Sequence, residues 1–213
     1  MGEITAPALA AAVARIAVAA EAFAPELNAA DGALGDGDLG ITVSRGFGEA
    51  AGAALPADVG LAFLECAKAF QRVSSSSYGT LVATALMATA KATKGRDAVP
   101  ASDVPGLLKG ALDAMMARGK GNLGEKTVLD SLHAVMLALD ERGEGDVMPA
   151  AVRAARETVE SFRARPNKLG RARMFGDGSI GLADPGQLAF CLIVEALQTA
   201  MVPAGRTGVT DGD

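Results

Sequence analysis

Apolar side chains recur every three to four residues along most of this chain, the spacing of helices with one buried face. Leu9, Val13, Ile16, Ala20 and Phe23 carry the pattern through the first segment. They predict a helix over 6–29 that Pro25 kinks or divides. Helix returns from Ile41 to about Ala53, and another begins at Pro56-Ala57-Asp58 and runs to about Arg72. A strongly apolar helix is predicted from Leu81 to about Ala92, and a further one from Val104 to about Ala117. The next leads out of a glycine-rich turn and continues through about Leu139. Pro149 opens a helix to about Ala164, and the last covers roughly Pro185 to Met201. No stretch alternates apolar and polar residues with the β-branched side chains of a strand. The prediction is an all-α bundle of about eight helices in one domain, residues 1–202, with 203–213 a disordered polar tail.

Composition narrows this picture. The 213 residues are enough for one core, and 50% of them are hydrophobic. Aromatics make up 4% with no Trp, so the core is built mostly from Ala, Leu, Val and Met. Ala-rich, aromatic-poor sequences favour closely packed helices. A net charge of −5 with no Lys/Arg stripe argues against a nucleic-acid surface. Cys66 and Cys191 both lie in apolar helical patterns, which reads as buried residues in a reducing cytoplasm rather than a disulfide framework. Residues 7–20 look superficially like a signal peptide, but Arg15 interrupts the run and no basic segment precedes it. No membrane span is expected, because no segment reaches ~18 uncharged apolar residues. His133, the single histidine, lies within a helix and reads as a packed residue.

The chemistry concentrates in the glycine-rich breaks between helices. Asp31, Asp36 and Asp38 fall close together, interleaved with Gly32, Gly35, Gly37 and Gly40. Aspartate oxygens are hard ligands suited to Mg²⁺ or Ca²⁺, and glycines let a loop turn sharply beneath them. The same residues also make polar surface turns. Ser74-Ser75-Ser76-Ser77-Tyr78-Gly79-Thr80 opens an apolar helix, where hydroxyls cap and N–H groups suit a phosphate; a serine run is also simply flexible. Gly119 to Asp130 is a further glycine-rich turn into a helix, and 166–186 is a long irregular stretch. Gly35 to Gly40 matches G-x-G-x-x-G, but helix rather than strand precedes it. Gly119 to Thr127 resembles a Walker A loop with the wrong spacing. An EF-hand fails because its twelfth position is Thr42 or Phe47, not Glu. If the four loops converge at one rim of an antiparallel bundle, carboxylates, hydroxyls, amides and basic residues combine into a Mg-nucleotide site.

Taken in order, these loops resemble those of the nucleotide-binding L subunit of dihydroxyacetone kinase. The matching residues are Asp31, Gly35-Asp36-Gly37-Asp38-Leu39-Gly40, Ser74 with Gly79-Thr80, Gly124-Glu125-Lys126-Thr127 with Asp130, and Gly170-Arg171-Ala172 with Ser179-Ile180-Gly181 and Asp184-Pro185-Gly186. The resemblance implies an antiparallel eight-helix barrel holding ADP or ATP with two Mg²⁺ at one rim. It implies Asp31, Asp36 and Asp38 as metal ligands, with Asp36, Asp38 and Arg171 in catalysis. Ser74, Ser75, Gly79 and Thr80 would lie along the nucleotide, Gly121 and Leu123 beside the base, and Asp184 in the far loop. The implied activity is phosphoryl transfer to a small ketose or polyol held by a K-type partner subunit. A phosphotransferase-system version adds an M-type phosphoryl donor, with bound ADP as a fixed cofactor. Exposed helix faces are compatible with a homodimer.

Three departures stand out. Leu39 replaces the family's His, Ser75-Ser76-Ser77 replaces Gly-Pro-Leu, and Asp177-Gly178 replaces Glu-Arg. The last removes a cation that neutralises the transferring group, so Arg171, Arg173 or a partner would have to supply one. The competing readings are a non-catalytic nucleotide-binding or regulatory protein of the same fold, and a plain helical interaction module.

Overall fold

The computed structural model describes residues 2–73, 76–142 and 146–198. The main elements are α1 (Ala6–Gly32), α2 (Leu39–Ala51), α3 (Val59–Val73), α4 (Ser77–Thr93), α5 (Val104–Gly119), α6 (Val128–Arg142), α7 (Met148–Phe162) and α8 (Pro185–Gln198). Each helix packs against its neighbours in the chain, and α8 returns to pack on α1, closing the ring. The periodicity predicts the all-α helices, and their antiparallel closure into a barrel is what the resemblance implies. The expected tail, 203–213, lies outside the described residues.

The main core cluster joins α1, α2, α3, α4 and α8, with Val13, Ile16, Leu27, Val43, Phe47, Phe70 and Ala189 among its buried members. Small residues let the walls approach. A Cβ on Gly46 would strike the Phe70 ring, and one on Gly40 would strike the Ala24 carbonyl. Phe47 and Phe70 meet edge to face at 4.9 Å, the geometry that aromatic quadrupoles favour.

Several local expectations change. α1 runs unbroken through Pro25, which lies on the exposed face. Packing on α2 and α8 along the whole helix outweighs the one lost hydrogen bond. α1 is also long and apolar enough, by length and composition, to cross a membrane. Here its Val13, Ile16, Ala20 and Leu27 line the barrel core instead. α3 starts at Val59 because Asp58 stops the chain there: its carboxylate accepts from Leu61 N at 2.8 Å and Gly95 N at 2.6 Å. A short antiparallel pair, Glu3–Thr5 with Ala98–Pro100, ties the start of the chain to the turn before α5. Three residues per strand are too few for an alternation to show. The stretch 166–186 contains a 3₁₀ segment, Arg171–Ser179, broken at Gly176 with φ 51°.

Candidate nucleotide and metal site

Alternation around the ring places the C-termini of α1, α3, α5 and α7 at the same rim as the N-termini of α2, α4, α6 and α8. All four glycine-rich loops therefore share one end of the barrel. The opposite rim carries the short pair of strands and the turns near 52–58 and 94–103.

The carboxylate loop is built from the end of α1. Asp31 Oδ2 accepts from Asp38 N at 3.0 Å and Leu39 N at 3.3 Å. Asn28 Oδ1 accepts from Gly40 N at 2.8 Å and Ile41 N at 3.3 Å. Two α1 side chains thus satisfy the four opening amides of α2, and the loop between them is held at both ends. Leu34 is buried beneath it, and Gly37 takes φ 76°, a left-handed turn that costs glycine little. Gly35 is needed for space, since a Cβ there would lie 2.7 Å from Asp31 Oδ1. The outcome is that Asp31, Asp36 and Asp38 each offer a carboxylate oxygen, all within 4.8 Å of one another. Three like charges at that separation repel unless a cation lies among them. Arg171 from the far loop forms an ion pair with Asp36 and supplies part of that compensation. The donor set is all oxygen, and Asp36 and Asp38 are exposed, which fits Mg²⁺ with waters and phosphate completing its shell.

The helix N-termini at this rim are not equivalent. α6 is capped by Asp130, whose carboxylate accepts from Gly124 N at 2.5 Å and Thr127 N at 2.8 Å. α8 is capped by Asp184, accepting from Gln187 N at 2.8 Å. At α4 the neutral Ser76 hydroxyl accepts from Gly79 N at 3.0 Å. Among the described residues the hydrogen bonds at this helix end include no carboxylate cap, and the positive end of a helix dipole favours an anion. It opens on a cleft of about 410 Å³ lined by Gln71, Gly79, Thr80, Thr84, Met87 and Arg118. Arg118 adds a second positive group, while Met87 and the threonine methyls supply apolar wall.

The structure thus brings Asp31, Asp36, Asp38 and Arg171 together, and sets Gly79 and Thr80 in the cleft along α4 at the same rim. Ser74 and Ser75 lie outside the described residues. Gly121 is buried, and a Cβ there would lie 2.6 Å from Leu169, so it fits the 120–127 turn against the far loop. Leu123 is 40% exposed. Asp184 is turned into the loop base rather than outward: Asn167 Nδ2 donates to its Oδ2 at 2.8 Å. Leu39 is buried in the core cluster and contributes its amide, not its side chain, to the loop. Asn28, Gln71, Thr84, Met87 and Arg118 were not legible as site residues. Each sits in an ordinary helical pattern, and only ring closure turns it toward the rim.

Burial pushes the Asp184 carboxyl up to about 6, opposed by the Gln187 amide, Asn167 and Lys126. The folded value exceeds the unfolded one, so the native state keeps a proton that the unfolded chain releases. That contribution to stability is complete below about pH 4 and is lost as pH rises through about 6. Carboxyl ¹³C NMR should show an Asp184 midpoint near 6; a midpoint near 4 would mean that its site is solvated.

Comparisons with known proteins identify the family and the fold. A family model described as the DAK2 domain matches residues 33–199. The ADP-binding subunit DhaL of PEP-dependent dihydroxyacetone kinase 1 from Listeria innocua is 30% identical over 174 residues, covering 80% of this chain and 84% of that subunit. The L-erythrulose 1-kinase of Mycolicibacterium smegmatis is 29% identical over 181 residues, which is 81% of this chain but 32% of that longer protein. The crystal structure of the C. freundii dihydroxyacetone kinase with AMP-PNP and Mg²⁺ shares the fold, with a TM-score of 0.72 at 22% identity over 90% of this chain and 33% of that one. The chain therefore spans about a third of the long kinases and most of the free-standing subunit. It belongs to the DAK2 domain family, which includes the DhaL-type ADP-binding subunits of dihydroxyacetone kinase.

Proposed function

We propose that this chain binds ADP or ATP with Mg²⁺ at the barrel rim and serves as the nucleotide-binding subunit of a dihydroxyacetone-type kinase. The observation that carries the reading is the trio of carboxylates within 4.8 Å of one another, with Arg171 paired to Asp36, at the rim that also carries the N-terminus of α4. Asp31, Asp36 and Asp38 would hold the metal, in the full reading two ions. Bound there, Mg²⁺ would neutralise charge on the phosphate oxygens. The chain itself does the rest. Asp31 anchors the loop through two backbone amides, so that Asp36 and Asp38 remain available. The α4 N-terminus and Thr80 would hold the phosphates, and the Met87 side of the cleft would take the less polar part of the nucleotide. Arg171 supplies the cation that Gly178 cannot, already placed beside Asp36.

The acceptor is a small ketose or polyol held on a K-type partner that docks at this rim. Relatives described as dihydroxyacetone and L-erythrulose kinases support that class. The phosphoryl donor is ATP, or an M-type protein of the phosphotransferase system that recharges bound ADP; the PEP-dependent description of the Listeria relative supports the second route. Two buried free cysteines fit a reducing cytoplasm. The non-catalytic alternative would bind Mg-ADP and transfer nothing with any K-type partner.

Thermal denaturation of ligand-free protein tests the binding half. Mg²⁺ and ADP together at ~100 times the dissociation constant should add about 2.7 kcal/mol. For a chain of this size that raises Tm by about 5–10 °C. Neither component alone should match it. No shift with both present would overturn the reading.

A further inference from the structure

Lys126 lies in a glycine-rich turn beside a nucleotide-like site, a context in which lysine usually meets phosphate. The structure puts it elsewhere. Its side chain is fully buried, and its backbone adopts φ 61°, a left-handed conformation uncommon outside glycine. Nζ donates to the Arg165 carbonyl at 2.8 Å and to the Ser179 carbonyl at 2.9 Å. Those carbonyls stand at opposite ends of the segment 166–178, so one ammonium closes its neck. Buried Asn167 reinforces the closure: its amide donates to Ser179 Oγ at 2.9 Å, and its Nδ2 donates to the Lys126 carbonyl at 2.9 Å. Gly181 N donates to the Arg163 carbonyl at 2.8 Å, and Lys168 N to the Glu125 carbonyl at 3.1 Å. Burial pushes the Lys126 pKa down, while the Asp184 carboxylate opposes that shift. A buried ammonium is costly unless its partners repay it, and here the partners are the loop ends themselves. What the closed loop presents is Arg171, paired with Asp36.

We propose that Lys126 is a positioning residue for the nucleotide site: by binding both ends of segment 166–178 it holds Arg171 against the carboxylate cluster, and it affects ligand binding only through Arg171. The ligand half of this rests on the Mg-nucleotide reading above; the loop-closure half does not.

A double-mutant cycle between Lys126→Met and Arg171→Gln, read as Mg-ADP affinity by calorimetry, tests it. Loss of one charge-assisted contact should weaken binding by about tenfold or more in each single variant. The double variant should be no weaker than the weaker single one, because both remove the same contact. A merely structural lysine gives multiplying effects instead, and that result overturns the proposal. Ser179→Ala keeps the buried lysine but removes the neck contacts of the Ser179 hydroxyl. Run through the same cycle, it tests whether the closed neck acts through Arg171 if the Lys126 variant does not fold, and multiplying effects there too overturn the proposal. Wild-type affinity in both Lys126→Met and Ser179→Ala also overturns it. Limited trypsin digestion without ligand separates this idea from the functional reading. Faster cleavage after the exposed residues Arg171 and Arg173 in the neck variants, with other sites unchanged, supports it even if the wild-type chain binds no nucleotide. Unchanged cleavage at those two sites overturns it.

Discussion

Replacing Asp36 and Asp38 together with alanine should abolish the Mg²⁺-dependent part of nucleotide binding. It should also lower phosphoryl transfer, assayed with a K-type partner, by roughly three orders of magnitude or more. The size follows from the several kcal/mol that a metal contributes to a charged transition state. The fold should be spared. Both side chains are exposed, and the bonds that shape the loop are made by Asp31 and Asn28. Removing two of three crowded negative charges relieves repulsion in the metal-free protein, so its Tm should hold or rise slightly. Asp31→Ala should behave differently. It strips the acceptor from Asp38 N and Leu39 N as well, adding about 1 kcal/mol of lost capping to the functional defect. Turnover and thermal scans on the two variants separate these effects. Retained kinase turnover in the Asp36→Ala/Asp38→Ala protein would sink the catalytic assignment.

Phe70→Ala should cost about 3–5 kcal/mol, the largest loss of stability expected from a single core substitution here. Phe70 is fully buried, meets Phe47 edge to face at 4.9 Å, and lies over Gly46 where no Cβ intervenes. Aromatics are only 4% of the chain, so few side chains can refill that volume. The neighbours on α2 and α3 are largely Ala, Gly and Val, which collapse poorly around a ring-sized void. Urea or thermal unfolding reads the effect, expected as a drop of about 10 °C in Tm. A loss below about 1 kcal/mol would show that the α2–α3 contact relaxes rather than opening a cavity.

Much of this molecule was legible one segment at a time. The helical stripe of Leu9, Val13, Ile16 and Ala20 depends only on neighbours one or two turns away, and it correctly marks the buried face of α1. The carboxylate loop was legible for the same reason. Asp31, Asp36 and Asp38 are close in the chain, and the glycines between them permit the tight turn that gathers the three side chains. Four loop motifs in order also carried the family, because order along the chain is a property of sequence alone.

Long-range partners were not legible. Lys126 belonged to a glycine-rich turn grouped with the nucleotide loops, yet its amine meets carbonyls of residues 165 and 179. Asp184 sat in a motif and turned out to cap α8 and bind Asn167. Arg171 finds Asp36 only because α8 returns to α1 and lays the far loop beside the first. The amino-acid sequence by itself determined that these helices form and in what order, which face of α1 is apolar, and which loop carries the carboxylates, since these rest on contacts within a few residues. Closure of the barrel decided which helix end lines the cleft, which lysine is buried, and which arginine meets the carboxylates, because such pairings depend on how whole helices pack.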